Sequence, residues 1–241
     1  MIHFHGTPLT PRSELLKLAG KHFCVSFADP RDGDWCLANA QSVLWDNGAF
    51  SLFTKDKAVD WMAFYSWLEP RLGHPHFAIV PDVIDGGEDA NDALLSEWPY
   101  RRDLSAPVWH MGEAIDRLLK LADEWPRVAF GSSGAYWQVG SPAWERRADE
   151  AFNALASRHS PLPWVHMLRG LALCGDRWPF ASADSVNVSR NYKDTHTCPE
   201  RMARLIDGRQ CPVSWSPRPT QREFFGGYQV IDECCQGERA T

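Results

Sequence analysis

Two acids in this chain stand where short apolar runs stop. Asp46 closes Ser42-Val43-Leu44-Trp45 and is followed by Asn47-Gly48-Ala49-Phe50-Ser51. Asp184 lies 138 residues later, in Phe180-Ala181-Ser182-Ala183-Asp184-Ser185-Val186-Asn187-Val188-Ser189-Arg190-Asn191. A pair of carboxylates with separated proton affinities can divide the cleavage of a glycosidic bond. One attacks or stabilises the anomeric carbon, and the other protonates the leaving group. Acids so far apart in sequence meet in one pocket when many strands point the same way, so the elements between them decide whether the pair exists.

Those elements alternate. Strands are predicted at Phe23 to Phe27, Ser42 to Trp45, Phe77 to Val80, Pro107 to His110, Arg127 to Phe130, Trp164 to Leu168 and Ser182 to Val188, with a closing strand at Pro212 to Trp215. Helical spacing or composition predicts helices at Arg12 to Ala19, Lys57 to Leu68, Glu88 to Arg102, Glu113 to Glu124, Pro142 to Ser157, Gly170 to Cys174 and Pro199 to Ile206. Ser141 is the expected N-cap before Pro142, and Gly208 the expected stop after Ile206. Met1 to Pro11, with its glycine and two prolines, reads as a loop. The pattern is α/β, and seven or eight strands separated by helices fit a (β/α)8 TIM-like barrel better than an open sheet. The expected organisation is one barrel domain over residues 1–225 and a flexible tail over 226–241.

In a parallel barrel the reactive groups follow the strands. Here they are Asp46, Asp82 with Asp85, His110 with Glu113, the Gly131-Ser132-Ser133-Gly134 loop, Arg169, and Asp184 with Asn187 and Arg190. Taken singly, an acid such as Asp82 or Asp85 also reads as the N-cap of the next helix. Taken together they are hard to justify as packing.

Composition bounds the partners. The 241 residues carry a net charge of −6, yet Ser141 to Arg222 holds twelve Lys plus Arg against eight Asp plus Glu. Arg169, Arg190, Lys193, Arg201, Arg204, Arg218 and Arg222 are therefore candidates for a basic rim that meets phosphates. The same residues also read as solvated helix faces. Twelve Trp is an excess that suggests rings at pockets, although core packing is the commoner role of any one of them. No apolar run approaches the roughly 18 residues of a membrane span, and the first thirty residues lack a signal-peptide pattern. Seven Cys at scattered positions argue against a disulfide framework, so the expectation is a protein of the reducing cytoplasm, with no membrane partner.

The segments around Asp46 and Asp184 resemble, in this order, the Asp-Ser-Gly-Gly-Phe-Gln and Phe-Asp-x-Val-x-x-x-Arg motifs of the tRNA-guanine transglycosylase superfamily, which exchanges guanine for a 7-deazaguanine. Phe77-Ala78-Ile79-Val80-Pro81-Asp82-Val83-Ile84-Asp85 stands where that family carries a base-recognising aspartate, and Gly131 to Gly134 near its glycine-rich loop. The resemblance covers residues 20–191 and implies the following roles. Asp184 is the nucleophile that holds the sugar, Asp46 the general acid/base, and Asp82 the acceptor for the N–H edge of a guanine-like base. Backbone amides of Gly131 to Gly134 bind the base carbonyl, and Phe50, Tyr136 or Trp137 stacks on the base. Asn47, Gly48, Asp85, His110, Ser132, Ser133, Arg169, Asn187 and Arg190 complete the substrate site.

Departures from the family matter. Asn47 replaces its serine, Ala49 its second glycine and Ser51 its glutamine. The zinc subdomain has no counterpart: His196, Cys198, Cys211 and Cys234-Cys235 match no familiar metal spacing, and no metal is expected. The short chain looks most like the compact phage-type relatives that modify DNA guanine, which implies DNA rather than tRNA as partner. A phage-encoded copy would act in the host cytoplasm. A cyano- or aminomethyl-deazaguanine is the implied incoming base, and a homodimer or a partner subunit is compatible with the missing subdomain. A duplex substrate would need its base extruded, with Trp109, Trp137, Trp178 or Tyr192 filling the gap. No phosphate-cradling glycine motif is present, and no cofactor is expected. Competing readings are an N-glycoside hydrolase acting on a nucleoside or nucleotide, and a silent nucleotide-binding barrel. A metal-dependent hydrolase built on His3-x-His5 and His110 is a further alternative, weakened because His3 and His5 precede a proline-rich loop.

Overall fold

The computed structural model describes residues 1–171, 175, 177–194 and 198–217. In chain order its elements are β1 (Ile2–Gly6), α1 (Arg12–Leu16), β2 (His22–Ser26), α2 (Gly33–Asn39), β3 (Ser42–Asp46), α3 (Ala49–Phe53), α4 (Trp61–Leu68), β4 (Phe77–Ile79), α5 (Gly87–Glu97), β5 (Ser105–Ala106), β6 (Val108–His110), α6 (Ile115–Glu124), β7 (Arg127–Gly131), α7 (Pro142–Arg158), β8 (Trp164–Met167), β9 (Ser182–Ser185), α8 (Asn187–Asn191) and α9 (Pro199–Asp207). All strand pairings are parallel, and the sheet order is β5-β4-β3-β2-β1-β9-β8-β7-β6. The two ends of that order, β5 and β6, are separated only by Pro107. Val80 N donates to Ala106 O (3.0 Å) on one side of this seam, and Ala129 N donates to Pro107 O (2.8 Å) on the other. Proline has no N–H to give to the ladder, so the run is interrupted there. The result is an α/β fold with a nearly closed barrel of nine parallel strands.

Strand alternation sorts the side chains into two layers. Phe4, Cys24, Leu44, Phe77, Ile79, Ala106, Val108 and Ala129 form one buried cluster inside the barrel. Phe23, Val25, Val43, Trp45, Trp109, Val128, Phe130, Val165, Met167 and Ala183 pack outward with helix residues such as Phe64, Leu118, Trp144 and Phe152. This parity places Asp46, Asp184 and His166 on the inner side, because Trp45, Ala183 and Val165 face out.

The tryptophan excess resolves into that outer layer: Trp137 is the one Trp that is largely exposed, at 69%. The buried indoles also tie helices to strands through their N–H groups. Trp144 Nε1 of α7 donates to Ser132 Oγ after β7 (2.9 Å), and Trp178 Nε1 donates to Asp149 Oδ1 (2.9 Å). Trp109 (0% exposed), Trp178 (2%) and Tyr192 (7%) are therefore core residues and cannot enter a DNA duplex, contrary to the expectation for those three.

Several boundaries depart from the sequence reading. The opening segment is not a loop: Ile2–Gly6 is a central strand between β2 and β9. Phe4 supplies its inward side chain, while His3 donates from Nε2 to Arg209 O (2.7 Å) and His5 pairs with Asp207 Oδ1 (2.9 Å) outside the barrel. Polar residues at the outward positions hid the strand, and their contacts remove His3-x-His5 from the candidate site. The predicted strand Ser182 to Val188 stops at Ser185 and turns into α8. No strand forms over 212–217. Helix α5 ends at Glu97 because Pro99 holds Trp98 extended, with ψ 116°. Helix α4 starts at Trp61, where Asp60 accepts from Ala63 N (3.0 Å). Helix α7 starts as expected, with Ser141 Oγ accepting from Trp144 N (3.3 Å). The helical stretch predicted from Gly170 to Cys174 falls largely outside the described residues, as do His196, Arg218, Arg222 and the tail 226–241. Among the described residues, no helix is long and apolar enough to cross a membrane.

Candidate functional site

A cavity of about 720 Å³ opens at the end of the barrel where the strands terminate. Twelve of the expected site residues line it: Asp46, Asn47, Phe50, Asp82, His110, Gly131, Ser132, Ser133, Arg169, Asp184, Asn187 and Arg190. Three do not. Asp85 is exposed on the loop after β4, and Gly134 is exposed with φ 54° where the post-β7 loop turns away. Gly48 is buried behind the wall and acts on the backbone alone. Its φ is +78°, and a Cβ there would come within 2.7 Å of Ala28 N. Gly48→Ala is expected to cost at least about 2 kcal/mol in urea unfolding, from left-handed strain plus a backbone clash.

The floor is built from strand ends in register. Ser26 of β2 pairs with Asp46 of β3, and Phe4 of β1 with Asp184 of β9. Burial pushes the Asp46 carboxyl up to about 7; the charges of Asp184 and Asp82 add to that push, while the Ser26 hydroxyl and Gly48 N oppose it. Gly48 N donates to Asp46 Oδ2 at 3.1 Å. Asp184 is held differently: Arg169 N donates to its Oδ1 (2.8 Å), and His166 Nε2 lies 3.4 Å from the same oxygen. The two acids thus sit in one cavity in unlike environments.

Asp82 is already engaged within the protein. Asn47 Nδ2 donates to Asp82 Oδ1 (2.7 Å) and to Val80 O (2.8 Å), while Asn47 Oδ1 accepts from Ala49 N (2.9 Å). Asp82 Oδ2 is 3.0 Å from His110 Nε2, within ion-pair distance but without hydrogen-bond geometry. Asn47 therefore locks the β3 and β4 ends together. Gly131 lets His110 approach, since a Cβ there would meet His110 Nδ1 at 3.0 Å and Val108 Cγ1 at 2.9 Å.

Arg169 crosses the mouth at φ 58°. Its guanidinium carbon lies 3.6 Å from the centre of the Phe50 ring, and its NH2 donates to Ser132 O (2.6 Å). A planar group that stacks on Phe50 must displace this guanidinium. Tyr136 and Trp137, the other expected stacking rings, do not line the cavity.

Glu113 is part of the scaffold. It accepts from Arg117 NH1 (2.6 Å), Asn91 Nδ2 (3.1 Å) and His110 N (2.9 Å), so it anchors the β6 end from behind. Both side chains of the Glu113–Arg117 pair are 5% exposed. Glu113→Leu takes one of two carboxylates from a buried guanidinium that keeps Asp92 and Val108 O, and it leaves His110 N without an acceptor; we expect a loss of about 1–3 kcal/mol in chemical denaturation.

Cys24, Ser26, His166, Lys55, Gly6 and Thr7 were not anticipated. The first five of these except His166, together with Thr7, line the cavity, and His166 lies beneath it against Asp184. Ser26, Cys24 and His166 carried a signal: each is a polar or small residue at an inward position of an otherwise apolar strand. Among the basic-rim candidates, Arg190 lines the cavity with Lys55, whereas Arg201 and Arg204 lie exposed on α9. Cys198 is exposed and Cys211 buried, and no metal-binding cluster occurs among the described residues. No protein-family model, curated protein or solved structure matches the chain.

Proposed function

We propose that this protein is a base-exchange enzyme of the guanine transglycosylase type. It cleaves the N-glycosidic bond of a guanine in nucleic acid, DNA rather than tRNA, and inserts a 7-deazaguanine. The observation that carries the reading is the convergence of Asp46 and Asp184 on one cavity, with Asp46 raised to about 7 and Asp184 held by a backbone N–H. One acid is thereby available as a proton donor near neutral pH, which suits leaving-group protonation.

In the first half-reaction an Asp184 oxygen bonds to the anomeric carbon as the carbon–nitrogen bond to guanine breaks, and the departing base takes the Asp46 proton. In the second, the incoming base gives its ring N–H proton to Asp46, its nitrogen bonds to the anomeric carbon, and Asp184 leaves as a carboxylate. Atoms and charges balance without a cofactor. Phe50 supplies a stacking face once Arg169 moves, and Asp82, positioned by Asn47, meets the base edge with its remaining lone pairs. Arg190 and Lys55 at the rim suit flanking phosphates. A base drawn from a duplex must be extruded to reach this floor. Counting β5 and β6 as one strand interrupted at Pro107 gives eight strands, the strand number of that enzyme class. The choice of DNA rests on the resemblance of the segments around Asp46 and Asp184.

The test is incubation with duplex DNA or tRNA labelled in guanine, with and without a 7-deazaguanine, beside Asp184→Ala. Release that needs the added base and is lost in the variant supports base exchange. Release without it would make the protein a glycoside hydrolase using the same acids.

A further inference from the structure

His166 is fully buried on β8, with its imidazole between Ser182 and Asp184 of the neighbouring β9. Trp164 Nε1 lies 2.8 Å from Ser182 Oγ, and Ser182 Oγ lies 2.8 Å from His166 Nδ1. An indole N–H can only donate, so the serine oxygen accepts from Trp164, and its single hydrogen is free to point at Nδ1. The imidazole then carries its hydrogen on Nε2, which faces Asp184 Oδ1 at 3.4 Å. The opposite neutral tautomer would set the Nε2 lone pair against a carboxylate. A protonated ring would again present an N–H there. Phe4 holds the ring plane edge-on, with centroids 5.9 Å apart. Nε2 makes no hydrogen bond, so a buried donor stands unspent beside the acid that Arg169 N already grips from the other side.

We propose that the Trp164–Ser182–His166 chain fixes an N–H on Asp184, making His166 a positioning residue that stabilises this carboxylate whenever it carries charge. The proposal rests on the base-exchange reading for what that charge does. Asp184 loses its charge on forming the sugar ester and regains it on release. The N–H at His166 therefore favours the second half-reaction. The other charged or titratable groups around Asp184 are Asp46 on β3, the Cys24 thiol on β2 and Arg169 after β8. From β1, Phe4 and Gly6 approach it with nothing that titrates.

Two measurements test this on the full chain. Nitrogen NMR of the 15N-histidine-labelled protein should show His166 protonated on Nε2; a neutral ring protonated on Nδ1 overturns the chain whatever the activity. Single-turnover assays then compare His166→Phe with His166→Gln, whose amide can return a donor. In His166→Phe the sugar adduct should persist roughly ten- to a hundred-fold longer, the worth of one hydrogen bond to a charged group. His166→Gln should recover most of that difference. Unchanged adduct lifetime in a folded His166→Phe, beside an active wild type, overturns the proposal. Absence of any adduct in wild-type protein instead removes the base-exchange reading, and the NMR result separates the two failures. Should His166→Phe not fold, Ser182→Ala provides the second variant: it removes the hydroxyl that selects the tautomer, and it should lengthen the adduct lifetime in smaller measure.

Discussion

Asp184→Ala is expected to lower guanine release by at least about 10⁴-fold, because it removes the atom that bonds to the sugar. Cys24 lines the same floor, but burial, and after it the charges of Asp184 and Asp46, push its thiol well above the ordinary range, so it stays protonated and weakly nucleophilic. The variant also leaves Arg169 N without its acceptor, which costs about 1–3 kcal/mol. Asp184→Asn is the matched control: it keeps an acceptor for that N–H, should melt closer to wild type, and should be equally inactive. A gel-shifted covalent complex with DNA should appear with wild type and with neither variant. A complex that survives in Asp184→Asn would move the nucleophile elsewhere.

Asp46→Asn is expected to have opposite effects on activity and stability. Base release should fall roughly 10²- to 10⁴-fold, since the amide cannot supply the proton. Stability should rise at neutral and alkaline pH for the reason that makes Asp46 an acid. The folded-state value of about 7 lies above the ordinary carboxyl value of 3.8, so between those limits the folded chain holds a proton that the unfolded chain has lost. Stability therefore falls as pH rises through that window, by up to about 4 kcal/mol once pH passes 7. Asparagine resembles the protonated acid and escapes this penalty. Urea midpoints for wild type and Asp46→Asn should coincide near pH 4 and separate steadily up to pH 8, with the variant the more stable. Coincident midpoints at pH 8 would mean that Asp46 ionises at its ordinary pH and is not the acid. Wild-type base release, measured in a single turnover, should likewise decline as pH rises above about 7.

The same acid that was easiest to find is thus the one whose chemistry depends most on its neighbours. Asp46 was legible because an apolar strand stops there against Gly48, a turn that left-handed backbone requires. Asp184 was legible from the small residues before it and the polar ones after. By contrast, the value near 7 comes from burial and from Asp184 and Asp82, residues 138 and 36 positions away. Asp82 looked like a free acceptor for a base, yet Asn47 donates to one of its oxygens and His110 Nε2 stands 3.0 Å from the other, because β3, β4 and β6 end close together. Glu113 stood at a strand end like the others and proved to be a buried anchor, since one turn of α6 brings Arg117 onto it.

What the sequence by itself determined about this protein is local: alternating apolar runs, the residue types at their ends, and the helix start at Ser141. Periodicity and backbone restriction act within a few residues, so they can be read along the chain. Only the tertiary structure decided the partners. The sheet runs through β1, whose outward histidines disguised it, and meets itself at Pro107, where one residue lies between its two ends. That near-closure turns eight strand ends scattered over the chain into one floor. It also brings Trp164, Ser182 and His166 beneath Asp184 and carries Arg169 across to Phe50. These contacts depend on strand register and barrel parity, which link residues distant in sequence and leave no local pattern to read.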